Sequence, residues 1–328
     1  MLHIEVALPF FDIDISLFKS AMILILSNSV DVTTDLMLPH LQERADVFRF
    51  NMDLWRDYQW NIHAHGFELQ DPVGRVCTEQ LTGAVYERKV MFNPPRIDEP
   101  AGGSQEAWLR SEVQMIWSSL KDWAFHEGKL AVIHPSPSGT WYKWRQMRHA
   151  ARYFRVPEWQ MLHGTPVTLS APVVCKTNGV TPVGNGTVLT VNKVDPAAVD
   201  VAYPWFLQQM EAEASADVTV AYIAGKLFAS EFSRTDMRGV DSRTSSLEHP
   251  ERWVPCELSA DEQCRIVEMM RETGLSFARL DFLRTPKGLV FLEFNPNGQF
   301  AWLDIKNERG LFTCIADEVW RVHQQHLS

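Results

Sequence analysis

A chain of 328 residues exceeds the usual single core, so two or three domains are expected. Its 45% hydrophobic and 22% charged residues describe an ordinary soluble globular protein, and a net charge of −10 argues against general affinity for nucleic acid. Five scattered cysteines without a C-x-x-C pair exclude a disulfide framework or a cysteine zinc site and fit a reducing cytoplasm, and no apolar run reaches membrane-spanning length.

Residues 1–21 mix Phe10, Phe11, Ile13 and Ile15 with Glu5, Asp12 and Asp14. No basic region precedes the apolar part, which argues against a secretory signal and leaves an N-terminal extension, either an upstream start or an extra strand. Met22 to Leu26 reads as a strand. It leads through Ser-Asn-Ser to a helix capped near Thr33 or Thr34, with Leu36, Met37, Leu38 and Leu41 inside it. Val47, Phe48 and Phe50 follow as a second strand, completing a βαβ unit that lacks the glycine fingerprint of a dinucleotide site. Phe67 to Leu69 and Val73 to Val76 flank a Pro-Gly turn and read as a hairpin. His63 and His65 have no third donor nearby in sequence and read as ordinary surface. Beyond the linker at 93–104, Trp108, Leu109, Val113, Ile116, Trp117, Leu120 and Trp123 recur at helical spacing, as a core stripe does. The twelve tryptophans fit either such helix packing or an aromatic groove for a peptide. Pro135-Ser-Pro-Ser-Gly marks a domain boundary.

A second helix is expected from Trp141 to Arg155, its cations Lys143, Arg145, Arg148, Arg152 and Arg155 forming a solvated face. Ala171 to Lys176 is a buried strand ending in a lysine that is costly to bury without an anion. The following 177–186 stretch carries three glycines that let backbone N–H groups approach phosphate. Tyr203 to Met210 reads as a strand. Asp217 to Ile223 and Lys226 to Phe232 form a hairpin around Ala224-Gly225, and Asp236 to Pro250 is a polar loop. Ser259 and Glu262 make a capping box for a helix that Gly274 ends. Asp304 to Gln325 is a final helical segment, with His323 and His326 expected on its frayed, exposed end.

The stretch from Arg279 to Asp304 carries the chemistry. Two apolar runs flank Thr-Pro-Lys-Gly, so it reads as a β-hairpin with Pro286, Lys287 and Gly288 as a three-residue loop. Thr285 then pairs with Leu289, Leu283 with Phe291, Asp281 with Glu293 and Arg279 with Asn295. Directly paired residues share a face, so Asp281, Glu293 and Asn295 lie together, while Leu280, Phe282, Leu292 and Phe294 face the core. Opposed carboxylates repel unless a cation lies between them, and hard oxygen donors of this kind suit Mg²⁺ shared with nucleotide phosphates. An acidic face bathed in solvent is the plainer alternative for the Asp281–Glu293 pair alone.

Leu-Glu-Phe-Asn-Pro-Asn-Gly-Gln-Phe-Ala-Trp-Leu-Asp, with Asp281 twelve residues before Glu293, resembles the end of an ATP-grasp ligase. Within that superfamily it most resembles the microviridin-type ribosomal peptide maturases, the graspetide synthetases, from about Met22 onward. The resemblance implies an α/β ATP-grasp fold in three parts behind the 1–21 extension: an N-terminal βαβ domain at 22–138, a central lid domain at 139–207 and a C-terminal nucleotide- and metal-binding domain at 208–328. It implies ATP and Mg²⁺, with Lys143 and Lys176 on the nucleotide and Gln208, Gln209 and Met210 as the adenine hinge. Its partner would be a precursor peptide with a leader and an acidic core, with no nucleic acid or membrane involved and a homodimer left open. Two departures stand out. Thr219 occupies the place of an arginine that faces the transferred phosphate, and Asp241-Ser-Arg243 replaces Asp-Trp-Arg. Arg279, on the metal face, either supplies the missing charge or forms an ion pair with Asp281 or Glu293 that settles the acidic face; Arg243 and Arg279 are the catalytic candidates. A ligase for free amino acids and a non-catalytic relative are the alternative readings.

Overall fold

The computed structural model describes residues 21–88, 104–132, 141–170, 172–176, 191–235 and 252–327. The expected extension, the glycine-bearing loop at 177–186 and the polar loop at 236–250 with Arg243 lie outside them.

Strand β1 (Met22–Ser27) is apolar on both faces, because both are covered. Helix α1 (Val32–Gln42) is capped earlier than the expected threonines. Asp31 is its cap, accepting the Thr33 N–H at 3.2 Å, while the Thr34 hydroxyl donates back to its carboxylate at 2.8 Å. A carboxylate satisfies the first free N–H groups and leaves both threonines inside the first turn. Strands β2 (Asp46–Asn51), β3 (Gln59–His63), β4 (Gly66–Gln70), β5 (Val76–Thr78) and β6 (Thr82–Glu87) follow, then helix α2 (Ser104–His126) and β7 (Leu130–Ala131). The strands β2-β1-β6-β7 form a parallel sheet, and β3-β4-β5 a small antiparallel one. Strand β3 left no pattern in the sequence because most of it is exposed. His63 and His65 are exposed, and no cluster of metal-ligating His, Cys, Asp or Glu side chains occurs among the described residues. On α2, Val113, Trp117 and Leu120 are buried as expected, whereas Trp108 stays exposed.

Helix α3 (Lys143–Ala150) ends well before Arg155. Pro157 disfavours helical geometry at Val156, and the Arg155 carbonyl instead accepts the Phe291 N–H at 2.9 Å. Strands β8 (Trp159–Leu162), β9 (Val173–Lys176), β10 (Asn192–Val194) and β11 (Trp205–Gln209) build an antiparallel sheet in the order β10-β9-β11-β8. A five-stranded sheet joins β12 (Ala216–Ile223), β13 (Lys226–Ser233), β14 (Trp253–Pro255), β15 (Phe277–Thr285) and β16 (Gly288–Asn295) in the order β14-β13-β12-β15-β16. Helix α4 (Ala260–Thr273) has the Ser259–Glu262 capping box and a left-handed Gly274 at its end.

Helix α5 (Leu311–Gln324) begins later than Asp304. The Asp304 carboxylate accepts the N–H groups of Arg309 and Leu311, closing a loop ahead of the helix. His323 is buried, not at the surface: it stacks on Trp320, and a Cβ on Gly83 would come within 2.4 Å of its ring. Helix α5 has therefore docked on β6 and is not fraying there.

Among the described residues the core falls into three clusters. Met22, Leu24 and Leu26 pack with Trp117 and Leu120 of α2 on one face of the parallel sheet. Ile23 and Ile25 on the other face pack with α1, with Ile315 and Val319 of α5, and with Phe277 and Phe300. The third cluster sets α3 and α4 against β12, β15 and β16. Among the described residues, no helix is long and apolar enough to cross a membrane.

Candidate active site

The β15–β16 hairpin turns one residue tighter than the sequence implied. Thr285 pairs with Gly288, leaving Pro286 and Lys287 as the loop, and Leu283 pairs with Val290. The Thr285 hydroxyl stabilises this turn, accepting the Lys287 N–H and donating to the Gly288 carbonyl. A bulge between Phe282 and Asp281 then absorbs one residue, and Asp281 still pairs with Glu293 and Arg279 with Asn295. The core face is consequently Leu280, Phe282, Phe291 and Phe294, with Leu292 left half-buried at the bulge.

Each carboxylate on the other face is matched by a cation. Lys143, the first residue of α3, donates from Nζ to Glu293 Oε2 at 2.7 Å. Arg279 Nη2 donates to Asp281 Oδ2 at 2.9 Å, and its Nη1 reaches the Gln299 carbonyl at 3.3 Å. The other Asp281 oxygen accepts the Thr219 hydroxyl at 2.9 Å from the neighbouring strand, where Thr219 is buried. Burial pushes the Glu293 carboxyl up, but Lys143, Lys176 and Arg279 outweigh it and hold the group down at about 2. Two lysines from different elements thus act on one floor carboxylate.

Lys176 ends β9 and donates to Gln208 Oε1 of β11 at 2.6 Å. Gln208 is buried, and its amide nitrogen lies against Met147 Sδ of α3. The backbone N–H groups of Gln209 and Met210 donate to the carbonyls of Glu158 and Pro172. The structure therefore brings Lys143, Lys176, Arg279, Asp281 and Glu293 into one electrostatic group, with Asn295 beside them in register and Gln208 holding Lys176.

Sequence reasoning missed the residues that position this group. Gln146, buried on α3, accepts the Phe294 N–H at 3.0 Å and so ties the helix to β16 between Glu293 and Asn295. Arg88, fully buried at the end of β6, donates to Asn297 Oδ1 at 2.6 Å, to the Gly298 carbonyl at 2.8 Å and to Gln299 Oε1 at 3.1 Å. Its Nε lies 3.9 Å from Asp31, and its guanidinium rests over Phe300. Thr33 adds a bond to the same Gln299 oxygen at 2.7 Å. The parallel sheet thereby grips the Pro-Asn-Gly-Gln turn that follows Asn295. Gly298 is obligatory there, since a Cβ would sit 2.8 Å from the Arg279 Cβ and 3.1 Å from the Asn295 Cβ. An arginine directly after an apolar strand was the one available signal for Arg88, and its partners are too distant in sequence to be read.

The donor set of two opposed carboxylates and an amide oxygen fits a hard divalent cation that completes its shell with phosphate and water. Asp281, Glu293 and Asn295 would hold it.

No family model matches the sequence, and no curated protein matches it. Solved structures do. A Chryseobacterium gregarium RiPP-associated ATP-grasp ligase, in complex with ADP and a leader and core peptide, aligns with a TM-score of 0.76 at 18% identity, over 90% of this chain and 96% of that one. The macrocyclase MdnC of Microcystis aeruginosa MRC, bound with the precursor peptide MdnA, aligns at 0.72 and 17% identity, over 92% and 99%. The ATP-grasp ligase PsnB, complexed with a minimal precursor, aligns at 0.66 and 15% identity, over 93% and 99%. At such identities the likeness is one of fold, and it extends over nearly the whole of each chain: this is an α/β protein with the ATP-grasp fold, built like those ligases.

Proposed function

We propose that the protein is an ADP-forming ligase that activates Asp or Glu side chains of a ribosomally made precursor peptide and joins them, within that peptide, to hydroxyl or amine groups. The observation that carries this reading is the convergence of Lys143 and Lys176 on the Asp281–Glu293 pair. Two lysine cations beside two carboxylates form a site suited to a metal-bound polyphosphate. The structural relatives bind ADP and precursor peptides, which supports the same choice of substrates.

In this reading a peptide carboxylate oxygen attacks the γ-phosphorus of ATP, the bond to the β-phosphate oxygen breaks, and ADP leaves. The hydroxyl or amine then adds to the acyl carbon, loses its proton and expels inorganic phosphate. Mg²⁺, when bound, screens phosphate charge. Lys143 releases Glu293 and turns to the phosphates; Lys176, held by Gln208, lies against the α- and β-phosphates. Arg279 offers paired N–H donors near the γ-phosphate in place of an arginine at position 219. Gln208, Gln209 and Met210 border the adenine, and Arg243 serves the acyl phosphate. The parts are an N-terminal domain at 22–138, a lid at 139–207 and a catalytic domain at 208–328, in a cytoplasmic enzyme.

The test is direct. Purified protein is incubated with ATP, Mg²⁺ and the product of a short Asp/Glu- and Thr/Lys-rich reading frame beside its gene. ADP release with loss of one water per ring, seen by mass spectrometry, is the expected result. ADP release with addition of a free amino acid would favour the amino-acid ligase alternative, and neither product would refute both.

A further inference from the structure

Helix α3 does more than deliver Lys143. Its outward side carries Tyr142 and Trp144, 71% and 55% exposed, with Arg145 and Arg148 exposed beside them. The Arg145 guanidinium lies 3.8 Å from the centre of the Trp141 ring, and that of Arg148 lies 5.6 Å from the Trp144 ring. Neither meets a carboxylate among the described residues. The next two arginines do: Arg152 pairs with Glu272 and Arg155 with Glu211. In a chain of net charge −10, Arg145 and Arg148 thus place two positive charges on one exposed helical turn with no described carboxylate against either.

We propose that this arginine–aromatic face captures acidic side chains of the peptide substrate, a reading that rests on the ligase function above. A guanidinium lying over a ring has given up much of its rotamer freedom while its N–H edge remains open, so it is pre-organised for a carboxylate. The partner's pattern follows from geometry. Side chains three apart on a helix stand about 5–6 Å apart at Cβ, and residues two apart on an extended peptide recur on one side about every 6.6 Å. The surface therefore matches an extended segment with acidic residues at alternate positions. It begins within a turn of Lys143, whose Nζ reaches Glu293, so a segment held there lies next to the centre where one of its carboxylates is activated. Single-stranded nucleic acid also stacks on arginine and aromatic groups, but the chain's overall negative charge opposes it.

The experiment uses the full chain, a fluorescein-labelled peptide of alternating Glu and Thr, and a fluorescent ADP analogue. Fluorescence anisotropy is expected to show salt-sensitive peptide binding that weakens by about tenfold or more in the Arg145→Gln/Arg148→Gln double variant. Affinity for the ADP analogue should stay unchanged, and Arg145→Lys/Arg148→Lys should recover only part of the peptide binding. Absence of peptide binding to the wild-type protein, equal binding by the double variant, or equal binding of a Gln/Thr peptide would overturn the proposal. Displacement of the peptide by a single-stranded oligonucleotide of lower dissociation constant would overturn it in favour of a nucleic-acid surface. Failure of the ADP analogue to bind would strike the ligase reading instead, and leave arginine-dependent peptide capture standing by itself.

Discussion

Lys143 Nζ and Glu293 Oε2 meet at 2.7 Å across 150 positions of sequence. In the proposed reaction the two ligands would divide that contact, a metal taking the carboxylate and the phosphates taking the ammonium. Either ligand alone would leave one partner with an unmatched charge. Lys143→Met is expected to weaken binding of a fluorescent ATP analogue by about tenfold or more, and to strengthen binding of Mn²⁺ measured without nucleotide. Weaker nucleotide-free Mn²⁺ binding in that variant would count against the exchange.

Glu293→Gln should keep the fold, judged by circular dichroism, and lower ADP formation by about a hundredfold or more. Unchanged turnover would remove Glu293 from the site.

The same residue gives a pH signature. Its carboxyl is held at about 2 in the folded protein by Lys143, Lys176 and Arg279 working against burial, below the ordinary value of about 4.3 for an unfolded chain. A depressed carboxylate contributes stability above the unfolded value, and that contribution drains away as pH falls through the folded one. The stability difference between wild type and Glu293→Gln, followed by urea denaturation, should therefore shrink between about pH 4 and pH 2. A difference that stayed constant over that window would contradict the assigned charge state.

Arg279 bonds to Asp281, so it could be no more than the partner of an acidic side chain. If its paired donors act on the transferred phosphate, Arg279→Lys should cut turnover by about tenfold while leaving thermal stability nearly unchanged. Thr219→Arg, which places a guanidinium on the other side of Asp281, should then restore part of the rate. Normal turnover in Arg279→Lys would reduce Arg279 to a charge partner.

Gly298→Ala forces a Cβ against those of Arg279 and Asn295. A cost of about 1–3 kcal/mol is expected from such overpacking, visible in thermal melting, together with weaker Mn²⁺ binding as Asn295 shifts. Stability loss without any change in metal affinity would separate the turn from the metal site.

The sequence made the hairpin's chemistry legible because pairing, once set, decides which side chains share a face. It did so through offsetting errors. The loop is one residue shorter than inferred, and the bulge beside Phe282 returns Asp281 to Glu293. Local patterns such as the Ser259–Glu262 box were readable because both partners lie within one turn. Arg88 was not, since its three acceptors lie 209 to 211 positions away and nothing near it announces them. His323 failed for a related reason: its burial depends on Gly83, distant from it in sequence. Helix α3 looked longer because its cations continue past Ala150, and only the Arg155–Phe291 contact reveals where it stops.

The docking of α5 on the parallel sheet bears on how the chain can be made. Ile23 and Ile25 emerge from the ribosome well before Ile315 and Val319, which cover them from the far side of the sequence. During synthesis, the first sheet must pass through a period with one apolar face open to water and to neighbouring nascent chains. Arg88 waits over the same interval for the turn that satisfies it. A stalled or shortened translation product would thus lack the cover for a sheet that it already contains, and is expected to aggregate or be degraded. The turn after Asn295 is secured by the first sheet, and that sheet is covered by α5, so the proposed catalytic centre would be completed only after α5 has been made.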